Sequence, residues 1–293
     1  MQDILNRDPD NDKYGEALKA QRFQMLEDIA QELAGEVIFP TYFDAALRLR
    51  DILNDPDRGL ADVADYIAME PLISAKIIHL ANSVAYNPMG NEVKTLLAAV
   101  SRVGLNAVRS TAMSIAMNQL RRAKGMASFA DLTHNLWEHS VKTAAAARLI
   151  AKKETRLNPD EGMLAGLIHD LGAFYMLYRA VQYDELCKRP ETMRYLIMNW
   201  HEGVGSSLLD ALGLPKEIVE AAGDHDHPRP PPSPIRNYAD LVYVANMLAG
   251  GHYEWLMQDE PSVVDHIVTL EAIYGHLKPE IEAEANQLLA HFS

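Results

Sequence analysis

The chain has 293 residues, room for one large or two modest domains, and 48% hydrophobic with 23% charged residues is an ordinary globular mixture able to build a sizeable core. A formal charge of -14 opposes general binding to nucleic-acid phosphates, and the single cysteine, Cys187, excludes an intramolecular disulfide or a thiolate metal cluster. No apolar stretch reaches the roughly 18 residues of a membrane span, and Met1-Gln2-Asp3 lacks the basic and apolar regions of an export signal, so no membrane partner and a cytoplasmic location are expected.

Apolar residues recur at helical spacing nearly throughout, and no long run alternates with period two, which predicts an all-α fold. In chain order, Tyr14, Leu18, Met25, Ile29 and Leu33 line one side of an accessory helix within residues 1–33. Pro40-Thr41 with Asp44 three residues after Thr41 reads as a capping box opening a helix that runs through Leu53. Asn54 to Gly59 is dense in turn formers, Val63, Tyr66 and Ile67 give the next apolar face, and Pro71 suits the first turn of a helix reaching Ala81. Arg121, Arg122 and Lys124 form a basic cluster, read as a solvated helix end, which closes a first lobe over 34–125.

A second lobe over 126–250 opens near Ser128 with a long alanine-rich helix carrying Leu136, His139, Thr143, Ala146 and Ile150 on one stripe. Asn158-Pro159-Asp160-Glu161 supplies a cap, a first-turn proline and two acids that favour the positive end of the helix dipole; the helix it starts is expected to run through Leu164, Leu167, His169 and Asp170. Further helices are expected over about 191–212, 215–224 and 234–250. The last two are separated by the stiff loop His227-Pro228-Arg229-Pro230-Pro231-Pro232. The tail, 251–293, reads as two or three short helices.

With no thiolates, imidazoles and carboxylates are the ligands available for a divalent transition metal, and the acid excess lies mainly in the second half. His139, His169 and Asp170 form a sterically reasonable three-ligand set, and His201 and His225, on later predicted helices, extend it from the rim. An isolated His-Asp dipeptide is usually a surface or packing pair, and a lone core histidine is usually just hydrogen-bonded; the order of these residues on successive helices raises the metal reading to parity with that alternative. His79, His134, His252, His266, His276 and His291 lack partners at ligand-like spacing and are taken as structural or exposed.

The order and local context of these residues resemble the HD superfamily and, within it, the HDOD (HD-related output domain) family, over about 37–250. Leu80-Ala81-Asn82-Ser83 carries the resemblance in the first half, as does Ala98 to Gly104; Leu136-Trp137-Glu138-His139-Ser140 and Ala165-Gly166-Leu167-Ile168-His169-Asp170-Leu171-Gly172 carry it in the second. The resemblance implies a two-lobed helical bundle whose second lobe is HD-like. It implies a bacterial signal-transduction output module, with signalling proteins as partners, a homodimer left open and nucleic acid not expected. It also implies one divalent ion, Fe, Mn or Zn, on His139, His169 and Asp170, with Asn246, His201 and His225 as additional ligands.

Departures from the catalytic HD pattern point away from an enzyme. Asn246 stands where an aspartate ligand is usual, Ala173 where cyclic-dinucleotide phosphodiesterases of the related HD-GYP type have lysine, Asn135 where they place a glutamate, and His225-Asp226 where they have paired histidines. The resemblance thus implies a non-catalytic module with no assigned catalytic residue. A metal-dependent phosphohydrolase with a reduced site is the alternative, and a nucleic-acid-associated regulator, supported only by Arg121, Arg122 and Lys124, is a third class.

Overall fold

The computed structural model describes residues 16–35, 43–227, 229–250 and 261–292. Among them every regular element is helical, so the all-α expectation holds. The α-helices are α1 (Glu16–Ala34), α2 (Asp44–Asn54), α3 (Leu60–Ala68), α4 (Pro71–Ala81), α5 (Leu96–Val103), α6 (Leu105–Arg121), α7 (Ala130–Glu154), α8 (Pro159–Ile168), α9 (Leu171–Ala180), α10 (Asp184–Cys187), α11 (Pro190–Ala211), α12 (Lys216–Ala221), α13 (Tyr238–Ala249), α14 (Pro261–Tyr274) and α15 (Lys278–Phe292). None is long and apolar enough to cross a membrane.

Local chemistry sets most of these boundaries. Asp57 N–H donates to Asp55 Oδ1 at 3.0 Å in the turn before α3, and Asp62 accepts from Gly59 N–H at 2.8 Å, satisfying an amide that the helix start leaves orphaned. Asn158 accepts from the amides of Asp160 and Glu161 at 2.9 and 3.4 Å to open α8. Asn237 accepts from Asp240 N–H at 2.8 Å and so fixes the start of α13 at Tyr238, later than the proline-rich approach suggests. Thr41 lies outside the described residues. The observed α2 begins at Asp44 itself, behind Phe43, whose side chain makes no cap. Lys124 follows α6 in a short 3-10 turn (Lys124–Phe129), while Arg121 donates to Asn118 Oδ1 and lies over the Trp137 ring, so that arginine is tied to the fold.

Two apolar cores result. One gathers Ile67, Ile77 and Val100 from the first lobe; the larger gathers Trp137, Phe174 and Tyr243 from the second. α6 belongs to both, with Ala107, Val108 and Ala112 in the first and Met113, Met117 and Leu120 in the second. α1 packs on α9, α10 and α11 through buried Leu18, Met25 and Ile29, the stripe expected from the sequence, and Glu32 accepts from Tyr175 and Arg179. α15 lies across α7 and reaches the first lobe: Asn118 Nδ2 donates to Phe292 O at 2.7 Å, and the His291 ring stacks on that of His79 in α4.

Candidate metal centre

Glycines allow the helices that carry the polar residues to approach closely. A Cβ on Gly166 of α8 would lie 2.7 Å from the Thr143 carbonyl oxygen of α7, and one on Gly172 of α9 would lie 2.0 Å from the His201 carbonyl oxygen of α11. Those contacts are closer than any side chain allows, so the backbones that bear His139, His169, Asp170 and His201 are drawn together. The helix expected through residues 169–170 in fact ends at Ile168; His169 and Asp170 occupy the break between α8 and α9. His225 likewise sits in the loop after α12 rather than on a helix. In both places the interruption frees a His-Asp pair from the roughly 100° divergence of helical neighbours.

His139 Nε2 lies 3.2 Å from His169 Nε2, and Asp170 Oδ2 lies 3.2 Å from His169 Nε2 and 3.8 Å from His139 Nε2. The other oxygen of the same carboxylate, Oδ1, is 3.2 Å from His225 Nε2 and 3.5 Å from His201 Nε2. His201 and His225 are therefore not rim residues: each is 1% exposed, like Asp170. Two triads, His139-His169-Asp170 and Asp170-His201-His225, share one carboxylate.

Three imidazoles have their tautomers set from behind. His169 Nδ1 lies 2.8 Å from Gly166 O, His201 Nδ1 2.7 Å from Ile197 O and His225 Nδ1 3.1 Å from Ala222 O. A proton on each Nδ1 satisfies those carbonyls and leaves each Nε2 lone pair facing the centre, an orientation common to metal-ligating histidines. Asp170 Oδ2, His139 Nδ1 and Asn246 Oδ1 are buried without a hydrogen-bond partner. Convergent lone pairs and an unsatisfied buried carboxylate oxygen repel one another unless a cation or protons intervene. Ligand atoms about 2.1 Å from an ion stand roughly 3.0–3.4 Å apart; the three 3.2 Å separations fall in that range and the 3.5 and 3.8 Å ones lie just beyond it, and this nitrogen and oxygen donor set suits a divalent transition metal. The residues fit such an ion.

Without an ion the cluster balances its charge through protons. Burial lowers His139 and the neighbouring His169 adds to the effect, bringing it to about 4. Burial also pulls His225 down, but the carboxylates of Asp226 and Asp170 outweigh it and push it up to about 9. His201 is raised too, as its bond to Asp226 overcomes burial. Asp170 is held well below the carboxylate range: burial alone would raise it, but the adjacent His169 and then His225 prevail.

Asp226 and Glu202 belong to the site although sequence reasoning assigned neither to it. Asp226 Oδ2 is 3.3 Å from His201 Nε2 and its Oδ1 accepts from Asn246 Nδ2 at 2.9 Å. Glu202 Oε1 accepts from the amides of His225 and Asp226 at 2.9 and 3.0 Å and so pins their loop to α11. The usable signal was a second His-Asp dipeptide, 225–226, after the first at 169–170. Asn246 is 1% exposed; with its amide nitrogen engaged by Asp226 and the His225 carbonyl, Oδ1 is the atom it has left to offer an ion. Of the departures, Ala173 is fully buried in the core and Asn135 is exposed.

No curated protein matches the chain. Among solved structures, it is similar to a candidate metal-dependent phosphohydrolase from Shewanella amazonensis SB2B, with 26% identity, 87% of this chain and 99% of that one covered, and a TM-score of 0.64. An HDOD domain protein of unknown function from Geobacter sulfurreducens is 22% identical over 90% and 98% of the two chains, with a TM-score of 0.57. A candidate signal transduction protein from Marinobacter aquaeolei VT8 is 18% identical over 93% of this chain and 65% of that one, also with a TM-score of 0.57. The HDOD domain family matches residues 39–228, the span that holds the smaller apolar core and all four imidazoles of the cluster. With that match over more than half of its length, the chain belongs to the HDOD domain family.

Proposed function

We propose that this HDOD protein is a non-catalytic signal-transduction module, cytoplasmic and acting through protein contacts, whose second lobe is cross-braced by a buried transition-metal centre. The observation that carries the reading is burial: His169 is 0% exposed and Asp170, His201 and His225 are 1% exposed. Closed metal sites are structural, whereas a catalytic one keeps a position open to substrate. His139, His169 and Asp170 would hold one ion, and the shared Asp170 carboxylate offers a second place with His201 and His225. When bound, the ion supplies charge that neutralises the convergent lone pairs. The chain's own residues orient the ligands, exclude water and tie α7, α9 and α11 to the 225–226 loop. The domain organisation proposed is an accessory helix over 1–33, lobes over 34–125 and 126–250, and a helical tail over 251–293.

Metal analysis of protein purified without chelator, with a phosphodiesterase assay on cyclic dinucleotides in added Mn²⁺ or Fe²⁺, tests this. One or two tightly held ions per chain and turnover at background are expected, with chelation lowering Tm and Asp170→Ala losing the metal. A second reading, a metal-dependent phosphohydrolase with a reduced site, draws on the similarity at 26% identity to the Shewanella protein. Metal-dependent turnover that vanishes in both His169→Ala and Asp170→Ala would replace the first reading by the second.

A further inference from the structure

The side chains of His139, His169, Asp170, His201 and His225 are at most 3% exposed, whereas that of Asp226, one residue beyond His225, is 14% exposed. Residues 222–227, which carry both His225 and Asp226, form no helix. Side chains from two helices hold this loop. From α11, Glu202 Oε1 accepts from the amides of His225 and Asp226 at 2.9 and 3.0 Å, and its Oε2 is 3.2 Å from Nδ1 of His227. From α13, Asn246 Nδ2 donates to His225 O at 3.1 Å and to Asp226 Oδ1 at 2.9 Å. The Glu202 side chain is 15% exposed and that of His227, also 3.3 Å from Asp224 Oδ1, is 73% exposed, so the clamp on the loop stands between the cluster and solvent.

We infer that the 223–227 loop is the door through which a divalent cation enters and leaves the His-Asp cluster, and that Glu202 is the positioning residue that latches it. The other walls are costly to move. The segments bearing His139, His169, Asp170 and His201 meet backbone to backbone at Gly166 and Gly172, and shifting α9 or α11 would disturb the core around Phe174 and Leu208, both fully buried. Swinging the loop outward breaks a few local bonds, of which the two amide bonds to the Glu202 carboxylate are charge-assisted and the strongest. Local openings of this kind fall to segments with little apolar packing. His225 and Asp226 then move with the loop to meet a hydrated cation, while His139, His169 and Asp170 stay in place. The latch closes the loop over a filled and an empty centre alike. Loosening it therefore speeds entry and exit by the same factor and leaves Kd nearly unchanged, whereas a residue that only shaped the ligand set would change exit and Kd together. The inference rests on the reading of the cluster as a metal centre, but not on the absence of turnover.

The test uses the full-length protein, stripped with chelator, and Co²⁺ as the probe, whose visible absorption reports occupancy. Uptake is followed by stopped flow, and release by transfer to excess chelator. Glu202→Ala should raise both rates by about thirtyfold, the scale of losing charge-assisted bonds, with Kd within about threefold of the parent's. Glu202→Gln keeps an acceptor oxygen without the charge and should raise both by about fivefold. In both variants the amides of His225 and Asp226 should exchange hydrogen faster than in the parent while those of α7 do not. Should Glu202→Ala fail to fold, Glu202→Gln faces the same requirement of matched rates. Release accelerated alone, with Kd weakened by the same factor, would make Glu202 a support of the ligands and not a latch. That result, or rates unmoved in a chain that holds its ion, would overturn the inference and leave the metal reading standing. A parent chain that takes up no ion would overturn both.

Discussion

The amide of Asn246 shows how much one atom can decide in a closed site. Its nitrogen donates to Asp226 Oδ1 at 2.9 Å, so Asn246→Asp sets a carboxylate against a carboxylate in a space from which water is excluded. In chelated protein the substitution should cost about 3 kcal/mol, the scale of an uncompensated buried charge. An ion would offset that repulsion, so the metal-induced rise in Tm should be larger in Asn246→Asp than in the parent protein, as thermal melts with and without chelator would show. An equal rise in both would mean that residue 246 does not sense the ion. At the other end of the fold, burial, reinforced by His79 and Lys76, holds His291 down to about 4 from a usual 6.5. Between those values the unfolded chain binds a proton that the folded chain does not, so stability rises with pH across the window and is lost as pH falls through it. His291→Leu should flatten the dependence of the urea midpoint on pH from about 4 to 6.5; a slope like the parent's would refute this role. The clustered side chains were legible because His139, His169, Asp170, His201 and His225 appear in order on successive segments. Asp226 was not, since it was read only as a departure from a histidine pair, and neither was Glu202, whose work is to hold backbone amides.

Helices assemble this site through the side chains they lack. Gly172→Ala would place a methyl group 2.0 Å from the His201 carbonyl oxygen and 2.6 Å from Gly205 N, both backbone atoms of α11 that can yield only if the helix moves. A loss of about 3 kcal/mol, the upper range for overpacking, is expected together with weakened metal retention. Gly203→Ala on the same helix meets nothing within 4 Å and should gain up to about 1 kcal/mol from helix propensity. Denaturant unfolding of the two variants checks the contrast, and similar effects would mean that close approach is not what Gly172 provides. Apolar periodicity made most helices readable, and Pro71, Asn158 and Pro159 marked their starts. The break at His169-Asp170 was not readable from the pattern, because apolar residues continue on both sides of it, from Leu164 to Leu177. The break lies between Gly166, packed on α7, and Gly172, packed on α11, tertiary contacts that local sequence does not carry.

At the scale of the whole molecule, α6 contributes side chains to both apolar cores and α15 spans from α7 to α4, so neither lobe keeps a complete core without the other. Metal-free protein should therefore unfold in one calorimetric transition. Met117→Ala, at a position buried in the second lobe's core, should cost about 2–5 kcal/mol and lower hydrogen-exchange protection in α3 and α4 as well as in α7. Two resolved transitions, or an effect confined to α7, would show that the lobes are independent. α11 has a different kind of reach. Trp200 faces outward from it and His201, the next residue, faces inward to Asp170. Were an ion held at His201, any contact made on the outer face of α11 would be linked to it, and the linkage would be reciprocal: by whatever factor the ion changes that contact, the contact changes the grip on the ion. An ion that never meets solvent could in this way be read from outside, as a difference in affinity.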